Sequence, residues 1–529
     1  MSLARAIAVV GGFTMISRVT GFVRDVLIAA VLGAGPVADA FFVAFKLPNF
    51  FRRLTGEGAM TVAFVPLFAG KVEAEGKAAA VAFASQVQAV LIAGLLAFLI
   101  VVELFMPWVM LALAPGFAGD PERFGLAVEL TRITFPYLPL ISLVALWGGM
   151  LNSLGRFGPM AAAPILLNLI LIAALLGLAG VFETPGHLLA WGVSAAGLAQ
   201  AVFVGISCWR NGALPRIRLP RLTPEVKKLF KLALPAAIGA GVVQVNLLID
   251  VVLASLLPAG SVSFLYYADR VVQLPLGVVG VAIGTALLPL LSRQVRAALS
   301  GDGSERPALD TQNRALEIAL LLTVPSAIGI AVLAAPMTTV LFERGAFTAE
   351  DSAATAAAMA AFALGLPAFV LIKVFQPGFF ARRDTATPVK VAMFAVVANL
   401  ALNLVLMQYY AHVGIALSTA IASWMNAGLL ALILARRGHL KPDPRLARRA
   451  LRILLASAIM GGVVWAVTDA LAPWFATRAM LGIVALILSI GAGIGSYALV
   501  GILVGALHPR ELLASIRRRE VEPIQTPEA

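Results

Sequence analysis

Arginine inside apolar segments is the feature that most constrains this chain. Arg18 and Arg24 lie within the first hydrophobic stretch, and Lys46, Arg52 and Arg53 lie within the second. With 60% hydrophobic residues and a mean hydropathy of +0.95, the chain is an integral membrane protein. A charged side chain near the bilayer centre costs about 2.5–3.5 kcal/mol on insertion scales. Several of one sign in neighbouring spans therefore imply an internal, water-filled, positively charged cavity suited to an anion.

Each span needs about 20 mostly apolar residues. Apolar runs between charged or Pro/Gly-rich breaks give fourteen segments, near 5–32, 36–68, 79–113, 124–150, 158–182, 187–209, 229–257, 262–291, 314–341, 352–380, 388–409, 411–435, 449–471 and 478–505. The first is not expected to be a cleaved signal peptide, because it is long and carries arginine where an apolar core belongs. Positive charge collects in the even-numbered loops, as in Lys71 and Lys77, Arg216 to Lys228, Arg293 and Arg296, Arg382 and Arg383, and Arg436 to Arg449. Arg123 and Arg344 are the main odd-loop exceptions, each near acidic residues. The positive-inside rule then places both termini in the cytoplasm. The net charge of +13 reflects this topology and contact with anionic lipid, so no nucleic-acid partner is expected.

The single cysteine, Cys208, excludes an intramolecular disulfide. The four histidines, His187, His412, His439 and His508, show no metal-ligand spacing. P-loop, GxSxG, HExxH and CxxC patterns are absent, so neither an enzyme active site of the soluble type nor an organic cofactor is expected.

A weak internal repeat pairs the stretch Gly33 to Phe68 with Pro258 to Leu291, and Leu151 to Leu169 with Phe380 to Leu400. The offset of about 225 residues, an even six spans, gives the two halves one orientation and describes parallel repeats. The expected organisation is an N-terminal six-helix lobe over 1–210, a cytoplasmic linker over 211–228 and a second six-helix lobe over 229–436. Two extra helices then occupy 437–505, before a cytoplasmic tail over 506–529.

Within the first span Ser17, Gly21 and Arg24 share a helical stripe, with Arg18 and Asp25 on the neighbouring one. Arg18 lies about 20 Å from a start near residue 5, too deep for easy snorkelling. In the second, Asp39, Lys46, Asn49, Arg53 and Glu57 line one face, with Arg52 beside it and Pro48 interrupting the ladder. Some of these charges read as structural ion pairs, such as Arg53 with Glu57, but bases outnumber acids. In the eighth, Tyr266, Arg270 and Gln273 share a face. The planar fork of arginine suits phosphate oxygens, so gathering Arg18, Arg24, Arg52, Arg53 and Arg270 would make a diphosphate site. A second, nearly neutral set comprises Asp250, Asn399, Asn403 and Thr419. It reads either as a site for Na⁺ or a coupling proton, or as hydrogen bonding between helices worth about 0.6 kcal/mol per contact.

The runs SRVTGFVRD (Ser17–Asp25), DAFFVAFKLPNFFRRLTGEGAMTVAFVPLF (Asp39–Phe68) and YYADR (Tyr266–Arg270) resemble the MurJ (MviN) family of bacterial lipid II flippases, over essentially the whole chain. That family belongs to the superfamily of multidrug and toxin extruders and polysaccharide-lipid flippases. The resemblance implies an all-α, MATE-like membrane fold of fourteen helices. It further implies a multi-pass protein of the bacterial inner membrane that is a transporter, not an enzyme. Its cargo would be lipid II, the polyprenyl-diphosphate-linked peptidoglycan precursor, moved to the periplasmic leaflet by alternating access. Membrane lipids and the cell-wall synthesis machinery would be its partners, and Na⁺, H⁺ or the membrane potential its drive. Arg18, Arg24, Asp39, Arg52, Arg53 and Arg270 match positions that the family needs. Position 273 is Gln here where some members carry Glu, and Asn403 stands where some carry Asp.

Three rival readings are weaker. A drug/cation antiporter calls for an acidic cavity, an intramembrane transferase for an acidic metal-binding cluster, and a scaffold for no buried arginine at all.

Overall fold

The computed structural model describes residues 3–53, 63–302, 304–476 and 480–507, and among them all regular structure is helical. Helix starts are written into the chain by a capping residue followed by proline. Asp120, Thr184, Thr223 and Asp443 each precede a proline, and each side chain accepts the backbone N–H three residues on, at 3.1, 3.4, 3.3 and 2.6 Å. The cap satisfies one orphan donor, and the proline occupies a position whose N–H has no helical partner.

The chain forms two compact units, Met1–Tyr267 with Phe342–Asp351, and Ala268–Leu341 with Ser352–Ala529. The first contains α1 (Leu3–Leu32), α2 (Pro36–Arg52), α3 (Val65–Leu104), α4 (Met106–Leu113), α5 (Pro121–Thr134), α6 (Tyr137–Ser153), α7 (Gly158–Gly177), α8 (Pro185–Arg210) and α9 (Pro224–Ser255). It also holds the first turns of α10 (Ser261–Ala297). Here α7 packs between α1 and α8, α2 against α5, and α6 against α8. A core of Phe64, Phe68, Phe83, Leu146, Met150, Val226 and Leu229 joins α3, α6 and the start of α9.

Two expected spans are drawn differently. The second, expected over 36–68, is helical as α2 to Arg52, with 54–62 outside the described residues. The third, expected over 79–113, begins at Val65 in a helix broken at Gly76 (φ 84°), and its last part is the separate helix α4. Only glycine enters that backbone region without cost, so a break there ends the first rod cleanly.

At the end of α1, the Ala346 N–H donates to Ala30 O at 2.8 Å. Gly345 and Gly33 make this approach possible. Both have positive φ, and an added Cβ would lie 2.1 Å from Ala30 O and 2.5 Å from Ala346 O respectively.

The second unit comprises the rest of α10, α11 (Arg306–Phe342), α12 (Ala349–Phe380), α13 (Ala386–Arg436), α14 (Pro444–Ala470), α15 (Ala472–Ala476) and α16 (Met480–Leu503). At 51 residues α13 would be about 76 Å long if straight, far beyond a hydrocarbon core of about 30 Å. It is broken at Ala411 (φ 46°), where the sequence reading divides its eleventh and twelfth segments. α14 packs on α11 through Val324, Leu333, Ile453 and Met460. Buried Glu317 ties the same two helices, pairing with Arg314, with Arg449 at 2.9 Å and with Arg445 at 3.6 Å. The opposite face of α14 leaves Leu451, Leu454 and Trp465 exposed, as a lipid-facing surface requires.

Among the described residues, nine helices or jointed helix pairs are long and apolar enough to cross a bilayer, with α5 and α6 counted as one span, Pro121–Ser153, and both rods of α13 as another. The chain is thus an all-helical, multi-pass membrane protein.

Two predictions concern stability. Gly345→Ala forces a backbone carbonyl apart at a strained φ and is expected to cost about 1–3 kcal/mol. A thermal melt of the detergent-purified variant that overlays the native one would refute the close approach. In the turn before α13, Asp384 is held below the usual carboxylate range by hydrogen bonds from the Thr387 hydroxyl and from Arg437, then from the Thr387 N–H. A lowered folded pKa contributes stability above the unfolded value of about 3.9 and loses it as pH falls below that. The melting-temperature gap between native chain and Asp384→Asn should therefore be constant from pH 8 to 5 and close below about pH 4.

Candidate functional site

Beyond Arg5 in its first turn, α1 carries Arg18 and Arg24, six residues apart. At 3.6 residues per turn they leave the helix about 120° apart and about 9 Å apart along it, so they enter different surroundings.

Arg24 is buried against its own neighbour and α7. Its Nε and NH2 donate to Asp25 Oδ1 at 3.0 and 2.7 Å, and NH1 donates to Asn168 Oδ1 at 2.9 Å. Asn168 returns to α1, donating from Nδ2 to Ser17 O at 2.9 Å and Thr20 Oγ1 at 3.1 Å. Gly21 allows this approach, since a Cβ there would lie 3.3 Å from Asn168 Nδ2. Tyr266 donates its hydroxyl to Asp25 Oδ1 at 3.3 Å and stacks on Phe42 with ring centroids 3.8 Å apart. The guanidinium is thus fixed in plane and direction by protein groups alone.

Arg18 shares a cavity of about 260 Å³ with Ser17 and residues of α6 and α7. The sequence stripe that joins Ser17 to Arg24 is therefore divided in use. The Ser17 carbonyl serves the Arg24 group, and its side chain faces the Arg18 cavity.

Asp39, near the start of α2, is completely buried. Its Oδ1 accepts the Ser263 N–H and hydroxyl at 2.8 and 2.6 Å, and its Oδ2 accepts the Gly260 N–H and Arg123 NH2 at 2.7 and 2.5 Å. The carboxylate sits on the first turn of α10, where the helix dipole favours negative charge. Arg123 lies over the Phe117 ring at 3.8 Å, which carries the far side of its guanidinium.

Further along α2, Arg52 donates to Asn49 Oδ1 at 3.3 Å, Asn49 donates to Phe45 O at 2.9 Å, and Arg53 donates to Gln244 Oε1 on α9 at 3.1 Å. Lys46 lies half-buried on the same helix. Glu57 is outside the described residues. Arg270 and Gln273 belong to the second unit, where Gln273 donates to Asp269 one turn earlier.

The candidate ion ligands are distributed likewise. Asp250 is on α9 in the first unit, whereas Asn399, Asn403 and Thr419 are on α13 in the second. Asn399 and Asn403 are buried, and Thr419 donates to Ile415 O at 3.1 Å in its own helix.

Three residues of these groups escaped the sequence reading. Arg123 counts there only as a loop charge, because its partner is 84 residues away. Asn168 carries a signal in the internal repeat, whose second pairing aligns it with Asn399. Lys373 on α12 is a further intramembrane cation, with its Nζ 3.2 Å from where a Cβ on Gly280 would stand.

Spans of this length, with buried and hydrogen-bonded arginines among them, define a polytopic membrane protein. The structure superimposes on an inward-facing multidrug-resistance MATE transporter of the MOP superfamily with a TM-score of 0.64, covering 82% of this chain and 98% of that one at 15% identity. It is closer to a lipid II flippase MurJ solved in an inward closed conformation, with a TM-score of 0.71, 26% identity, and coverage of 91% and 97%. Residues 28–486 match the family model described as lipid II flippase MurJ, and the chain belongs to that family. A relative from Rhizobium tropici, named probable lipid II flippase MurJ, is 44% identical over 534 residues, covering 99% of this chain and 98% of its own.

The Asp39–Arg123 pair can be tested by a double-mutant cycle. Asp39→Asn leaves the Arg123 charge buried without its anion and is expected to cost about 3–5 kcal/mol. Adding Arg123→Met should recover much of that loss, because the two residues are coupled. Melting temperatures that simply add would remove the pair from the account.

Proposed function

We propose that this chain moves lipid II from the cytoplasmic to the periplasmic leaflet of a bacterial inner membrane. The observation that carries the reading is family membership over residues 28–486, with lipid II flippases as the named relatives. The buried arginines support it, because a diphosphate crossing an apolar layer needs fixed, planar donors.

In this reading the six-helix lobes over 1–210 and 229–436, joined at 211–228, alternate access to a cationic, water-filled cavity. Arg24, Arg52, Arg53 and Arg270, with Lys46 and Asn49, bind the diphosphate and sugar-peptide head, and Ser17, Arg18, Glu57 and Gln273 complete the lining. Asp39 acts through the first turn of α10. The polyprenyl tail stays in lipid along the exposed face of α14 and α16 within 437–505. Both termini, including the tail over 506–529, are cytoplasmic. Asp250, Asn399, Asn403 and Thr419 take part in coupling to Na⁺ or H⁺, with the membrane potential as the alternative drive. Enzymes of cell-wall synthesis consume the product outside.

The test uses cells depleted of their own flippase, in which an externally added lipid II-cleaving toxin reports precursor in the outer leaflet. The native chain is expected to restore cleavage. Arg24→Ala and Arg270→Ala should abolish it while the proteins remain inserted, and Arg24→Lys should recover little, because an ammonium lacks the fork. Full cleavage with the inserted alanine variants would sink the diphosphate-binding role of these arginines. No cleavage with the inserted native chain would sink the cargo assignment.

A further inference from the structure

The segment between α8 and α9 turns its larger apolar side chains away from the protein. Residues 213–223 lie outside any helix. Leu214, Ile217, Leu219 and Leu222 are all exposed, Ile217 to 96% and Leu219 to 75%, whereas the small residue Ala213 and the ring of Pro215 are buried. A loop in water does the reverse, since covering leucine or isoleucine removes far more apolar area from water than covering alanine. Exposed Arg216, Arg218 and Arg221 stand between these apolar residues, and no acid occurs from 211 to 224.

The backbone of this segment is fastened to α3. Lys77 donates to Asn211 O, and the Arg216 N–H donates to Ser85 Oγ at 3.0 Å. Gln86 Nε2 donates to Leu219 O at 3.2 Å and to Arg221 O at 2.8 Å. These bonds satisfy main-chain groups that an apolar layer would leave unpaired. Pro215 and Pro220 have no N–H to satisfy and keep the chain from closing into a helix. The point of attachment sets the depth. A span of about 20 residues counted back from the end of α3 at Leu104 begins at Ser85, so the segment is held at the edge of the hydrocarbon layer. A soluble partner would have to displace lipid from that level. Apolar side chains interleaved with arginines instead match the two layers of a leaflet, acyl chains and phosphates.

We propose that residues 214–222 form a strap seated in the membrane surface, with Ile217, Leu219 and Leu222 among the acyl chains and the three arginines on anionic lipid phosphates. In the orientation proposed above this is the cytoplasmic leaflet, but the seating depends neither on that orientation nor on the cargo. The strap leads directly into α9, whose Val226 and Leu229 are packed with Phe64, Phe68 and Phe83, so anchoring it sets the depth at which α9 begins.

The test attaches a nitroxide label at single positions of the full-length chain in lipid nanodiscs. Ile217→Cys and Leu219→Cys are the probes. Ile100→Cys, on the exposed side of α3, and Ser304→Cys, in an exposed loop, are the references. Cys208 is buried, and a native sample taken through the labelling sets the background. Collisions with oxygen, which dissolves among acyl chains, and with a water-soluble nickel chelate report immersion. Each label is measured in phosphatidylcholine and in phosphatidylcholine carrying phosphatidylglycerol.

The labels at 217 and 219 are expected to favour oxygen, as the label at 100 does, with nickel collisions at least about threefold below those at 304. Arg216→Gln, Arg218→Gln and Arg221→Gln together should raise nickel access at 217 about twofold or more in the discs containing phosphatidylglycerol. Labels at 217 and 219 as open to nickel as the label at 304, in both lipid mixtures, overturn the strap, including where a soluble protein later covers them. Nickel access unchanged by the triple replacement overturns the phosphate contacts and with them the anionic surface. No transport is measured, so failure of the flippase reading leaves this readout untouched and shows instead as a native chain that does not restore toxin cleavage.

Discussion

A charge inside an apolar layer must be compensated, and Asp39 shows how far the chain goes to do so. Its two oxygens accept four donors, from Arg123 at the start of α5 and from Gly260 and Ser263 at the start of α10. Three segments distant in sequence are held at one point by a charge that would be ruinous if any of them moved away. The constraint reaches beyond the contact. α2 is one helix to Arg52, so fixing Asp39 fixes the azimuth and depth of Lys46, Asn49 and Arg52, up to about 20 Å along the same rod. The basic end of α2 is positioned by an acid at its other end.

Arg24 follows the same rule for a different purpose. Asp25 neutralises much of its charge, and Asn168 and Asp25 together fix its orientation. A carrier must release what it binds, because cargo held much more tightly in one state than the other shifts the population and stalls the cycle. A compensated guanidinium offers directional hydrogen bonds to phosphate oxygens with less net attraction than a bare one. Under the proposed function, geometry and not charge alone would then select the ligand, and the attraction would stay within a range that permits release.

The spanning helices were legible because hydropathy is a local property and lipid leaves the backbone few alternatives to helix. The break of α13 at Ala411 coincides with the expected boundary for the same reason. The early start of α3 was not legible, since Lys71, Glu73, Glu75 and Lys77 read as a charged loop, whereas the chain is helical on both sides of Gly76. The capping pairs Asp120–Pro121, Thr184–Pro185, Thr223–Pro224 and Asp443–Pro444 carried readable starts. The polar groups were legible as residue types but not as partnerships. Arg123 looks like an ordinary loop charge between Asp120 and Glu129, and nothing within a helical turn of it points to Asp39. Asn168 was readable only through the repeat, as the counterpart of Asn399.

The spacing of Arg18 and Arg24 was legible too, and its consequence is geometric. Six residues turn a helix by 600°, so one rod presents two guanidiniums in directions about 120° apart. One of them is met by Asp25 and Asn168, which makes it affordable without a ligand. The other is met by a cavity lined in part by Asn152, whose amide oxygen has no hydrogen-bond partner among the described residues, and by the start of α7. A bare arginine at that depth is tolerable only where water or an anion enters, so the cavity and the charge require each other. Filling the cavity with apolar side chains would remove its polar vacancy but strand the arginine. Neutralising the arginine with a nearby carboxylate would spare the charge but erase any preference for an anion. The chain does neither, and keeps on one helix both a compensated arginine and one whose charge is left for something to answer.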